Sequence, residues 1–233
     1  MKHSSDAPVA VAIDGPVGAG KSTIARAAAN RLGFVYCDTG ALYRAIGLYC
    51  SRKGVDLKDS SAITAKLPEI SLKLRITGEN KVQRVFLNDE DVSEEIRLPE
   101  ISMAASAVSA IPEVRAALLD IQRDMAKSEN VIMDGRDIGT VVLPDADVKI
   151  FLTAKPEIRA KRRYDELVKK GVETTFEEVL ADLNKRDYDD SHRAAAPLRQ
   201  APDAVLADTS ELDFERSVDF VCGIIEGALK TRN

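Results

Sequence analysis

Val9-Ala-Val-Ala-Ile13, then Asp14, then Gly15-Pro-Val-Gly-Ala-Gly20-Lys21-Ser22-Thr23 is the stretch that decides the fold. A short apolar run, a glycine-rich turn closing on Lys-Ser and a helical pattern from Ser22 to Leu32 form the strand–loop–helix of a phosphate-binding P-loop. Glycines let the backbone curl so that several N–H groups converge on one phosphate, at a helix start that already favours negative charge. Lys21 adds a mobile cation for the terminal phosphates, and the Ser22 hydroxyl offers an oxygen to Mg²⁺.

Outward from this loop, strands alternate with helices. Phe34–Cys37, Val131–Met133, Val148–Leu152 and Ala204–Ala207 are further short apolar runs suited to a buried parallel sheet. Helical patterns at Leu42–Lys53, Pro112–Lys127, Glu157–Lys170 and Phe214–Lys230 lie between or after them. The expected fold is therefore α/β, a P-loop parallel sheet flanked by helices, with ligands at the carboxyl ends of the strands. One segment departs from that rhythm. Ile70–Ile76 alternates with period two, a Gly78–Lys81 turn follows, and Val82–Leu87 completes an antiparallel hairpin with one solvated face.

Bulk properties exclude other classes. The 233 residues, 45% hydrophobic and 30% charged, describe a soluble globular chain. No apolar run approaches the ~20 residues of a membrane span, and no signal peptide opens the chain; Met1–Pro8 reads as a loose polar tail. A net charge of −5 argues against a nucleic-acid surface. Cys37, Cys50 and Cys222 are scattered and odd in number, which fits reduced thiols in a cytoplasmic protein. With only His3 and His192, there is little material for a histidine zinc site or a Ser–His triad.

Arginines dominate the remaining polar pattern. Thr175 and Glu178 have capping-box spacing, opening a helix at Phe176 whose face runs Phe176, Val179, Leu183, then Arg186, Asp190 and Arg193. An apolar stripe that turns charged without leaving the protein body calls for an anion, although internal Arg–Asp pairs on a solvated helix end would give the same pattern. Arg44 and Arg136 follow core strands, and Arg159, Arg162 and Arg163 lie on a helix after Pro156. Their placement suggests two anionic ligands brought together. Asn184-Lys-Arg-Asp187 spells a guanine-reading pattern, but it lies inside a helix rather than after a buried strand, and no switch motif precedes it. It reads as coincidence.

Asp38-Thr-Gly-Ala-Leu-Tyr-Arg44, Asp134-Gly-Arg-Asp-Ile-Gly-Thr-Val141 and Arg186-Asp-Tyr-Asp-Asp190 with Arg193-Ala-Ala-Ala-Pro197 resemble the bacterial-type cytidylate kinases, in order from Val9 to about Thr209. The resemblance implies a P-loop core (8–38, 106–155 and 197–233), a monophosphate-binding domain (39–105) with a β insertion at about 66–98, and a helical lid (156–196). It implies in-line transfer of a phosphoryl group from ATP to CMP or dCMP with Mg²⁺; the chain is expected to be cytoplasmic, monomeric or weakly associating, and to bind small nucleotides and neither nucleic acid nor membrane. Residue by residue, it assigns Gly15, Pro16, Val17, Gly18, Ala19, Gly20, Lys21, Ser22 and Thr23 to ATP, with Ser22 also facing the metal. Thr39 and the arginines Arg44, Arg136 and Arg193 fall to the acceptor phosphate side, and Ser106, Arg115 and Asp137 to the cytosine. Arg186 and Asp190 go to the sugar and the transferring phosphate; Arg159, Arg162 and Arg163 are lid arginines. Catalysis is then expected of Lys21, Arg136, Arg162, Arg186 and Arg193. An acceptor phosphate is mostly dianionic at neutral pH, its second pKa being near 6, so the scarcity of histidine is no objection. The residues alone leave open a kinase of another monophosphate or small acceptor and, more distantly, a GTP-binding switch.

Overall fold

The computed structural model describes residues 7–78 and 82–231; most of the Met1–Pro8 tail and of the Gly78–Lys81 turn lies outside them. β1 (Ala10–Asp14), β2 (Val35–Asp38), β6 (Val131–Gly135), β7 (Val148–Thr153) and β8 (Val205–Asp208) form one sheet in the order β2-β6-β1-β7-β8. Every pairing in it is parallel. Side chains alternate across β1: Val11 and Ile13 join one buried cluster, while Ala12 joins Cys37 and Met133 on the opposite side. Burying each such Val or Ile stabilises by roughly 1.5–3 kcal/mol. α1 (Lys21–Leu32) and α8 (Phe214–Lys230) cover the first face, through Ile24, Ala28, Val218, Val221 and Ile225.

α2 (Gly40–Arg52), α3 (Ser60–Lys66), α4 (Pro99–Ser109) and α5 (Pro112–Ser128) follow the expected helices in part. α3 and α4 were not anticipated. α3 is two turns long, too short for a periodic signal, and its Asp59 cap accepting from the Ala62 amide is the local cue. α4 has only a weak apolar–polar contrast, its small Ala104 packing on α2 so closely that a Cβ on Gly47 would lie 2.8 Å from it. β3 (Leu72–Thr77), β4 (Val82–Leu87) and β5 (Glu90–Asp91) make the separate antiparallel sheet, the hairpin reading with one strand added.

α6 (Pro156–Lys169) and α7 (Phe176–His192) pack together as an arm. The Thr175–Glu178 capping box is formed in both directions, and Val179 and Leu183 are buried with Ala160. α7 stops at His192, so Arg193 is not helical but caps the end in an extended conformation. The three cysteines are free and buried. Among the described residues no single helix is long and apolar enough to cross a membrane.

Candidate active site

Three neighbouring parallel strands end in an aspartate near one edge of the sheet: Asp14 on β1, Asp38 on β2 and, one residue before the end, Asp134 on β6. The glycine loop leaves that edge from Asp14. Gly15 is obligatory there, since a Cβ would lie 2.0 Å from the Leu152 carbonyl oxygen, with φ at +151°. Beyond the edge opens a cleft of about 690 Å³.

One side of the cleft is built by the loop and α1. Val17, Gly18, Gly20, Lys21, Ser22 and Thr23 border the cleft, whereas Gly15, Pro16 and Ala19 stand behind them. The Lys21 ammonium is buried and donates to the Pro16 carbonyl at 2.7 Å. Burial above all, and next the Arg136 charge, pushes its pKa well below the ordinary lysine range. Such a cation gains from any anion that enters. The Ser22 hydroxyl donates to Asp134 at 2.7 Å, and the Tyr36 hydroxyl donates to the other oxygen of that carboxylate at 2.9 Å. Burial, then the Asp38 charge, raises the Asp134 pKa.

The opposite side comes from five elements. Thr39 donates through Oγ1 to the Asp134 carbonyl at 2.8 Å, and Arg44, on the second turn of α2, pairs with Asp38. Arg136 donates from Nε to Asp190 at 2.7 Å, tying the end of β6 to α7. Asp137 is 4% exposed and faces two arginines: Arg115 of α5, in hydrogen-bond contact, and Arg193 at 3.4 Å. The Arg115 guanidinium also lies 5.5 Å from the centroid of the Tyr43 ring. Burial, then the charge of Arg115, lowers the Arg193 pKa. Arg186 is lowered likewise by burial and then by Arg136. Ser106 borders the cleft from α4. All nine residues expected on the acceptor side line this one cleft with the loop.

The lid arginines separate. Only Arg163 borders the cleft, paired with Glu166 at 2.8 Å. Arg162 is not brought there: its guanidinium donates to the carbonyls of Thr209 at 2.7 Å and Leu212 at 3.2 Å. Arg159 is buried and bonded to the carbonyls of Ala154 and Val17.

A family model for cytidylate kinase matches residues 11–227. The chain belongs to the cytidylate kinase family. A cytidylate kinase of Caldanaerobacter subterraneus subsp. tengcongensis is 53% identical over 213 residues, 91% of this chain and 92% of that one. One from Thermosipho melanesiensis is 48% identical over 223 residues, 96% and 99% of the two chains. Membership makes the chain a nucleoside monophosphate kinase and accounts for the second, arginine-lined side of the cleft.

Several residues that border or support this family member's cleft were not among those expected. Asp14 accepts from the Ile138 and Gly139 amides, at 2.7 Å each, and so holds the chain just after Arg136 and Asp137. Asp38 and Asp134 bind Arg44 and Ser22. An aspartate closing an apolar strand run was the available signal for all three. Gln122, 1% exposed on α5, also borders the cleft; nothing in its local pattern marks it.

The donor set fits Mg²⁺. Ser22 and Asp134 supply hard oxygens, and no cluster of three His, Cys, Asp or Glu side chains lies among the described residues. Mg²⁺ commonly binds through one or two carboxylates plus substrate phosphates, keeping several waters, rather than in a cage of protein ligands.

Proposed function

We propose that this protein transfers the γ-phosphoryl group of ATP to CMP or dCMP, giving ADP and CDP or dCDP. The carrying observation is the meeting, in one cleft, of the glycine loop with Lys21 and the arginines of five other elements. One polyanion bound by the loop would face another held by Arg44, Arg136 and Arg193. An oxygen of the acceptor phosphate attacks the γ-phosphorus as the bond to the β-bridging oxygen breaks, and ADP departs with that electron pair. No general base is needed.

What the reaction needs is relief from repulsion and correct alignment. Two unit charges 4 Å apart interact by about 4 kcal/mol at an effective dielectric of 20. Lys21, Arg136, Arg186 and Arg193 are the groups assigned to offset that charge and to keep the oxygens in line. Arg163, bordering the cleft from α6, replaces Arg162 as the lid arginine aimed at the phosphates. Arg115, Asp137 and Ser106 are assigned to the base. Ser22 and Asp134 would hold Mg²⁺, which when bound neutralises phosphate charge. The division into core, monophosphate-binding region and lid, a monomeric state and a cytoplasmic location belong to the same proposal.

The test is a coupled assay over CMP, dCMP, UMP, AMP and a sugar acceptor, with GTP as alternative donor. Turnover with ATP and CMP or dCMP that far exceeds the other acceptors is expected. Equal use of AMP, or preference for GTP without acceptor turnover, would overturn the assignment.

A further inference from the structure

The tip of the glycine loop is gripped from behind by two charged residues that do not border the cleft. Arg159 of α6, 4% exposed, donates from Nη1 to the Val17 carbonyl at 2.8 Å and from Nε to Ala154 at 2.8 Å. The same Nη1 lies 2.7 Å from Asp187 of α7. The other oxygen of Asp187 accepts from the Val17 amide at 3.3 Å. Both polar backbone groups of Val17 are thus taken by side chains of the two arm helices. The Val17 side chain packs against the buried cluster of Ala160, Val179 and Leu183. A Cβ on Gly18 would meet Leu183 at 3.3 Å and Arg159 at 3.4 Å, so the backbone itself lies against the arm.

This grip has a physical purpose in a loop half of whose residues from Gly15 to Gly20 are glycine. Gly18 and Gly20 hold φ at +73° and +85°, and a chain so unrestrained loses much conformational freedom when it closes on phosphate. A tip ordered beforehand spares that cost at the moment of binding. The grip also fixes registry. Asp187 adjoins Arg186 and lies three residues before Asp190, and Arg159 lies four before Arg163 on α6. We propose that Arg159 and Asp187 are positioning residues, which seat the donor loop in fixed register with the helices that carry the acceptor-side and lid arginines. Asp187, which the sequence placed in a guanine-reading pattern, thereby has a role inside the helix where it lies. The inference rests on the reading of the cleft as an ATP site.

Asp187→Asn and Arg159→Lys keep the approximate size, one acceptor oxygen and one cationic donor respectively, so the chain is expected to fold. Steady-state kinetics should show the KM for ATP raised about tenfold in Asp187→Asn, as for loss of roughly 1.4 kcal/mol of binding. The KM for CMP should stay within about twofold, and Arg159→Lys, which keeps the charge, should fall between wild type and Asp187→Asn. Hydrogen exchange at the Val17 amide should quicken in both variants while the melting transition stays cooperative. Equal rises in both KM values, or an unchanged Val17 exchange rate, would overturn the proposal. Affinity for an ATP analogue and Val17 exchange need no acceptor. Inactivity of the wild type toward CMP would therefore count against the proposed reaction and leave this test intact.

Discussion

Asp14 offers a sharp electrostatic test, because its carboxylate is nearly enclosed and yet engaged at both oxygens. Burial pushes its pKa up to about 6 from 3.8, against the pull of the Gly139 and Ile138 amides; Asp137 raises it further and Lys21 lowers it. The folded state therefore binds this proton more tightly than the unfolded chain. Its contribution to stability is full below the unfolded pKa and is lost as pH rises through the folded one. A shift of about two units corresponds to about 3 kcal/mol over the whole window. From pH 5 to pH 7.5, roughly one unit of that window remains, or about 1.4 kcal/mol. Asp14→Asn cannot titrate, so urea unfolding of both proteins at those two pH values isolates this residue from the other carboxylates. The difference, wild type minus variant, should fall by about 1.4 kcal/mol on going to pH 7.5. A difference that does not change with pH, or grows, would refute the claim that burial outweighs the two amide hydrogen bonds.

Three other substitutions address the cleft. Lys21→Met should reduce kcat by about 100-fold or more, as for loss of a charge acting on the transferring group, while equilibrium binding of CMP persists; an unchanged kcat would remove Lys21 from catalysis. Arg44→Ala should raise the KM for CMP by tenfold or more, since a hydrogen bond to a charged group contributes about 1.5–3 kcal/mol, with the KM for ATP nearly constant; CMP kinetics equal to wild type would displace Arg44 from the acceptor site. Asp137→Ala leaves Arg115 and Arg193 buried and facing each other, and should lower unfolding stability by about 3 kcal/mol or more; a loss below 1 kcal/mol by urea titration would show that water or relaxation replaces the carboxylate.

The sequence was most legible where chemistry and period coincide. Gly15 to Ser22 gave both a strand-to-helix junction and an anion site, and all five core strands lie where short apolar runs predicted them. The stripe from Phe176 to Asp190 was readable because helical spacing alone puts Arg186 on the face of Val179 and Leu183. The lid arginines were not separable from sequence. Arg159, Arg162 and Arg163 occupy one short helical stretch, and a rotation of 100° per residue sends them to the loop backbone, the β8–α8 connection and the cleft respectively. α4 escaped because small residues (Ala104, Ala105, Ala107) and serines (Ser102, Ser106, Ser109) fill both its buried and its open faces, so the contrast between them is too weak to mark a period.

The charge balance of the cleft explains how an acidic chain can be an anion binder. Among the described residues, seven cationic and seven acidic side chains border it, so its net formal charge attracts nothing. Most of the cations already hold a carboxylate: Arg44 holds Asp38, Arg136 holds Asp190, Arg115 and Arg193 share Asp137, and Arg163 holds Glu166. These pairs fix guanidinium planes in place while leaving further N–H groups of each fork for a phosphate. Lys21 and Arg186 are the exceptions, with no carboxylate at ion-pair distance among the described residues. Lys21 is buried and Arg186 half-buried, and for both the Arg136 charge is the next cause after burial that lowers the pKa. The positive charge that holds no carboxylate therefore sits on Lys21, at the start of the helix after the glycine loop, and on Arg186, on the arm, both within the influence of Arg136. In the proposed reaction a phosphoryl group passing between the two nucleotides would offset the charge of these two cations together more than either nucleotide bound alone, which is the condition for binding energy to accelerate the transfer and not only to hold the substrates.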